Sequence, residues 1–150
     1  MPETAPYVDV QLLDHPVEQT PLSPFPDDCG AECVFIGRTR VDHHEVHGRL
    51  VRLRYHAYRP LATSELRTLA LHAAERFGCS CVRIHHALGE VLPGGASVLV
   101  QVATGHRGAA FEAGRFVMEE LKRKAPIWKQ EFWADGTTWS EGATVAEGMP

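Results

Sequence analysis

The stretch SVLVQVATGHRGAAFEAGRFVMEELKRKAPIWKQEFW, residues 97–133, changes its hydrophobic period twice, and those changes decide the fold. Residues 97–104 form an apolar run rich in Val and Ala that stops at Gly105, the signature of a buried strand. From about 108 to 124 the positions Ala110, Ala113, Gly114, Val117 and Leu121 recur at helical spacing. Lys122, Arg123 and Lys124 fill the last turn, where positive charge complements the helix dipole. Pro126 prevents the helix from continuing. Residues 127–133 then read as a strand, followed by a turn at Asp135-Gly136 and a short return to Trp139.

Working outward, residues 7–13 alternate enough for a first strand. Residues 14–28 carry Pro16, Pro21, Pro24 and Pro26 and read as a loop. Val34, Phe35 and Ile36 supply the β-formers of a strand over 33–40. Residues 41–48 hold Asp42, His43, His44, Glu45 and His47, polar enough to predict a mobile surface loop. Over 50–58, Val51, Leu53 and Tyr55 take one face and Arg52, Arg54 and His56 the other. A first helix follows from Leu66, Leu69, Ala70, Ala73 and Phe77, with Gly78 as its stop. Residues 81–88 are a strand joined to the 97–104 strand through Pro93-Gly94-Gly95. Strands, helix, two strands, helix and strands predict one α+β domain over 1–150, with a largely antiparallel sheet and two main helices. Residues 140–150 read as a flexible tail.

Composition narrows the function. A net charge of −4 is too mild for a nucleic-acid binder, and no apolar run approaches the roughly 20 residues of a membrane span. Glu3 and Asp9 interrupt the N-terminal segment, which does not read as a secretory signal, so the expected compartment is the cytoplasm. The cysteines stand as C-x3-C (Cys29, Cys33) and C-x-C (Cys79, Cys81), neither a zinc knuckle, and no metal is expected. No glycine-rich phosphate loop and no Ser-His-Asp or H-E-x-x-H pattern occurs.

Two segments carry candidate chemistry. His106 and Arg107 open the second helix, where unpaired N–H groups and the dipole favour an anion; a solvated arginine beside a capping histidine fits the same residues. Lys129 and Glu131 share one face of the 127–133 strand, opposite Trp128 and Phe132. A lysine near other cations and a carboxylate can be tuned to hold an anion or move a proton, and a plain surface ion pair is the alternative.

Further motifs join these in order: Phe35-Ile36-Gly37-Arg38-Thr39-Arg40, Tyr55-His56-Ala57-Tyr58, His86 with Gly89-Glu90, Pro93-Gly94, His106-Arg107, Ala110-Phe111, Met118, Lys122 and Pro126-Ile127-Trp128-Lys129-Gln130-Glu131. Taken together, they resemble the large, catalytic subunit of molybdopterin synthase, the MoaE family. The resemblance implies a hammerhead-like α/β fold, a homodimer within a heterotetramer, and no cofactor. It implies a small ubiquitin-like partner whose C-terminal Gly-Gly carries a thiocarboxylate, and cyclic pyranopterin monophosphate as substrate. The product that it implies is the dithiolene of molybdopterin, in molybdenum cofactor biosynthesis. Lys122 and Lys129 match the two active-site lysines; Arg40, His106 and Arg107 would hold phosphate; Glu131 would orient Lys129; Phe35 and Met118 match apolar positions by the pocket. No catalytic cysteine is needed, since the sulfur arrives on the partner. The chain departs from the family at Ala87, where an arginine is expected, at His56 in place of a glutamate, and at Gly142 and Ala143, near which some members carry an arginine. A non-catalytic module that tethers a ubiquitin-like protein on the same fold is the competing reading.

Overall fold

A computed structural model describes residues 4–140. In chain order the elements are β1 (Tyr7–Leu13), β2 (Ala31–Arg38), β3 (His43–His44), β4 (Gly48–Ala57), α1 (Arg59–Phe77), β5 (Cys81–Ala87), β6 (Gly89–Val91), β7 (Ala96–Thr104), α2 (Arg107–Lys124), β8 (Ile127–Trp133) and β9 (Gly136–Trp139). They form two sheets. The first has the order β1-β5-β7-β2, antiparallel except for the parallel β1–β5 pair. The second runs β3-β4-β8-β9, with β6 also paired to β4. Two helices on a mostly antiparallel α+β frame agree with the reading of the sequence.

Burial explains why β5 and β7 read as continuous apolar runs: every residue in both is buried. On one face Val82, Ile84, Val98, Val100 and Val102 meet Leu66, Ala70 and Ala73 of α1 and Ala113, Val117 and Leu121 of α2. The proline-rich segment lies over the other face, where Val17 packs with Ala87 and Leu99, and Leu22 with Cys81 and Ala103. That face also encloses a polar cluster. Arg83 Nε donates to Asp9 Oδ2 at 2.8 Å, and His85 Nε2 lies 2.9 Å from the same oxygen. Arg83 Nη1 reaches the Thr20 carbonyl at 2.9 Å and Gln101 Oε1 at 3.1 Å, so one guanidinium fastens the segment to the sheet.

Residues 41–48 correct the expectation of a mobile loop. They form a hairpin in which β3 pairs with the start of β4. His44 Nδ1 accepts the backbone N–H groups of Val46 and His47, at 3.0 and 3.2 Å, so the polar side chain that suggested a loop instead builds the turn. Strand β6 was not anticipated, because three residues are too few to show a period. Strand β2 ends at Arg38, not Arg40, and the two residues released turn toward the second sheet. The expected tail beyond Ser140 lies outside the described residues. No helix among those described is long and apolar enough to cross a membrane.

Candidate active site

A cleft of about 1130 Å³ opens between the two sheets, and Arg40, Lys122, Lys129, Glu131, Phe35 and Met118 all line it. Each arrives by a separate route. Lys122 and Met118 project from the last turns of α2, Phe35 from β2, and Lys129 and Glu131 from one face of β8. Arg40 depends on a clamp. Where β2 ends, the Thr39 N–H donates to the Gly95 carbonyl at 2.9 Å, and the Gly94 N–H donates to the Thr39 carbonyl at 2.7 Å. Gly94 holds φ at +87°, which a glycine adopts without strain. Gly37 makes the approach possible, since a Cβ there would lie 2.6 Å from Val98 Cγ1.

The electrostatics are those of an anion site. The chain has three lysines, Lys122, Lys124 and Lys129, all inside eight residues. Lys124 is spent on Glu120, 3.0 Å away. Among the described residues, Lys122, Lys129 and Arg40 have no carboxylate within ion-pair distance. Burial holds the Lys129 ammonium below the usual lysine range; Glu131 opposes this, Lys122 and Arg40 push the same way, and Asp42 opposes again. A lysine so placed releases a proton more readily than an exposed one, and its charged form is best stabilised by an incoming anion.

The floor of the cleft is made by residues that the sequence offered only as parts of motifs. Tyr55 pairs with Lys129 across β4 and β8, and its ring meets the edge of His86 at a centroid distance of 5.0 Å. Burial pushes His86 down to about 4, with its bond to the Ala87 carbonyl opposing, so the ring is neutral at pH 7. Its Nδ1 lies 2.7 Å from that carbonyl and donates to it, leaving Nε2 as an acceptor. Burial likewise raises the Tyr55 hydroxyl. The Thr39 hydroxyl, buried beside the cleft, has no hydrogen-bond partner among the described residues.

His106 and Arg107 do not join this group within one chain. They are exposed at the opposite end of α2 from Lys122, roughly 22 Å away at 1.5 Å per residue. His106 is the N-cap residue without a side-chain cap, so the first N–H groups of the helix remain open. Of the departures noted in the sequence, Ala87 is fully buried and His56 Nε2 lies 3.1 Å from Gln130 Oε1. Gly142 and Ala143 are outside the described residues. A smaller recess of about 230 Å³ between α1 and α2, lined by Glu65, Glu120, Arg123 and Lys124 among others, gathers no comparable set of cations.

Residues 10–124 match the family model described as MoaE protein. The chain is 45% identical over 108 residues to a molybdopterin synthase catalytic subunit of Neosartorya fischeri, covering 71% of this chain and 56% of that one. A catalytic subunit of the same name from Bacillus subtilis is 37% identical over 75% of this chain and 70% of its own. The chain thus spans little more than half of the fungal relative. Among solved structures, molybdopterin synthase from Staphylococcus aureus superposes with a TM-score of 0.77 at 28% identity, over 87% of this chain and 95% of that one.

Proposed function

The chain belongs to the MoaE protein family, and from that premise we propose that it is the catalytic half of a cytoplasmic sulfur-transfer enzyme. Its substrate is cyclic pyranopterin monophosphate, and a small ubiquitin-like partner delivers sulfur as a C-terminal Gly-Gly thiocarboxylate. Two deliveries convert the pterin side chain into the molybdopterin dithiolene. The observation that carries this reading is the convergence of Arg40, Lys122 and Lys129 in one cleft, with no carboxylate within ion-pair distance of any of them among the described residues. Substrate phosphate and thiocarboxylate are both anions, and each needs fixed cations in a site with little water. At about 1130 Å³ the cleft exceeds the ~300–1,000 Å³ of an ordinary small-molecule pocket, leaving room for a peptide tail beside the pterin.

Lys122 and Lys129 take the catalytic roles, holding anionic oxygen and moving the proton as the cyclic phosphate opens. Glu131 sets the electrostatic surroundings of Lys129, and Phe35 and Met118 give the tail an apolar wall. His106 and Arg107 bind phosphate from a second copy of the chain, which accounts for their distance from Lys122 within one copy. The active assembly is then a homodimer carrying two small subunits. None of the four cysteines lines the cleft, so the reading gives them no part in the transfer.

Reconstitution tests the reading. The chain is mixed with thiocarboxylated small subunit and cyclic pyranopterin monophosphate, and the dithiolene product is measured. Product formation, with the partner returned as its plain carboxylate, is the expected result. Tight binding of the small subunit without product would assign the chain to a tethering role instead.

A further inference from the structure

The turn from β8 to β9 brings Glu131 opposite Thr138 in the antiparallel register. Two hydrogen bonds join there in sequence. The buried Trp133 donates its indole N–H to Thr138 Oγ1 at 2.8 Å, and Thr138 Oγ1 lies 2.9 Å from Glu131 Oε1. The direction of this chain is fixed by chemistry. An indole nitrogen only donates, and an ionised carboxylate only accepts. The single hydroxyl proton of Thr138 must therefore point at Glu131.

Lys129 stands two residues from Glu131 on the same face of β8, about 7 Å away along the strand. Both side chains are long enough to close that gap. Even so, among the described residues no carboxylate lies within ion-pair distance of Lys129. The groups that face it are Glu131 on its own strand, Tyr55 across the sheet, Lys122 from α2, and Arg40 and Asp42 beyond β2.

We propose that Thr138 is a positioning residue for Lys129: its hydroxyl, aimed by Trp133, ties down Glu131 and keeps the carboxylate from closing onto the lysine. Glu131 then acts across a gap, and the ammonium stays open to an incoming anion. The proposal rests on the reading of Lys129 as a catalytic group, but its test does not need activity.

The experiment uses the full chain labelled with [ε-13C]lysine. Only three lysines occur, so each resonance is assigned by one Lys→Arg substitution. The Lys129 signal is titrated in the wild type, in Thr138→Val, which keeps the side-chain shape, and in Thr138→Ser, which keeps the hydroxyl. Thr138→Val should move the Lys129 midpoint upward by about one pH unit or more, the effect of an opposite charge brought into contact. Thr138→Ser should titrate as the wild type does. Should the valine variant not fold, Thr138→Ala replaces it with the same expectation. An unchanged or lowered midpoint without the hydroxyl, or a serine variant that shifts as far as the valine one, overturns the proposal. Loss or retention of sulfur transfer in Lys129→Ala, measured separately, judges the catalytic reading and leaves the titration result standing.

Discussion

Lys129 occupies a half-buried strand position that a purely structural lysine would have little reason to fill, because burial disfavours its charge. Nothing in the fold requires the ammonium there: it packs no core cluster and closes no ion pair among the described residues. Replacing it with alanine should therefore change stability by less than about 1 kcal/mol. Sulfur transfer should fall by several orders of magnitude if the amine holds or moves charge in the reaction. Thermal melting and product formation, measured on the same preparation, check both halves. A variant that melts normally and still turns over at the wild-type rate would remove Lys129 from the mechanism. At this scale the sequence was informative, since Lys129 and Glu131 stood out by strand alternation alone. It was silent on Tyr55, His86 and Thr138 as parts of a site, because their roles arise from pairing between strands distant in the chain.

Among the elements, β1 and β5 are coupled by Asp9, Arg83 and His85, beneath the proline-rich segment. Burial works to raise the Asp9 carboxyl, but hydrogen bonds from Gln11, His85 and Arg83 outweigh it and hold Asp9 below the ordinary value of 3.8. A carboxylate depressed in the folded state stabilises that state fully above its unfolded value. The contribution is lost as pH falls below about 3.8 through the lowered native value. Asp9→Asn should flatten this part of the acid-unfolding curve and, by leaving Arg83 buried without its anion, lower stability at pH 7 by about 3 kcal/mol. Denaturant melts from pH 7 down to pH 2 provide the check, and an unaltered acid limb would count against the pair. The main strands and both helices were legible because their periods run over seven residues or more. The hairpin at 41–48 and the three-residue β6 were not. A histidine accepting backbone N–H groups looks like any other polar residue in a sequence, and β6 is defined by its partner β4.

For the whole molecule, the separation of the two ends of α2 has a consequence for assembly. If His106 and Arg107 serve the cleft of a neighbouring copy, Arg107→Ala and Lys129→Ala damage the same site from different chains. Lys129→Ala alone should be nearly inactive, and Arg107→Ala, with pterin binding weakened by about 1.5–3 kcal/mol, should be strongly impaired at sub-saturating pterin, where the test is run. Unfolded together and refolded as a mixture, they should regain part of the wild-type activity, because mixed dimers contain one site with both residues intact. A mixture no more active than its parents would place all the chemistry within one chain. The crowding of every lysine into residues 122–129 bears on handling as well. Amine-directed reagents such as succinimidyl esters, aldehyde fixatives and activated resins meet no decoy lysines elsewhere on the surface. Apart from the terminal amine, coupling falls on Lys122 or Lys129 in the cleft or on Lys124 in the neighbouring recess, so conventional amine immobilisation that reaches either of the first two would act on this protein as a site-directed inhibitor.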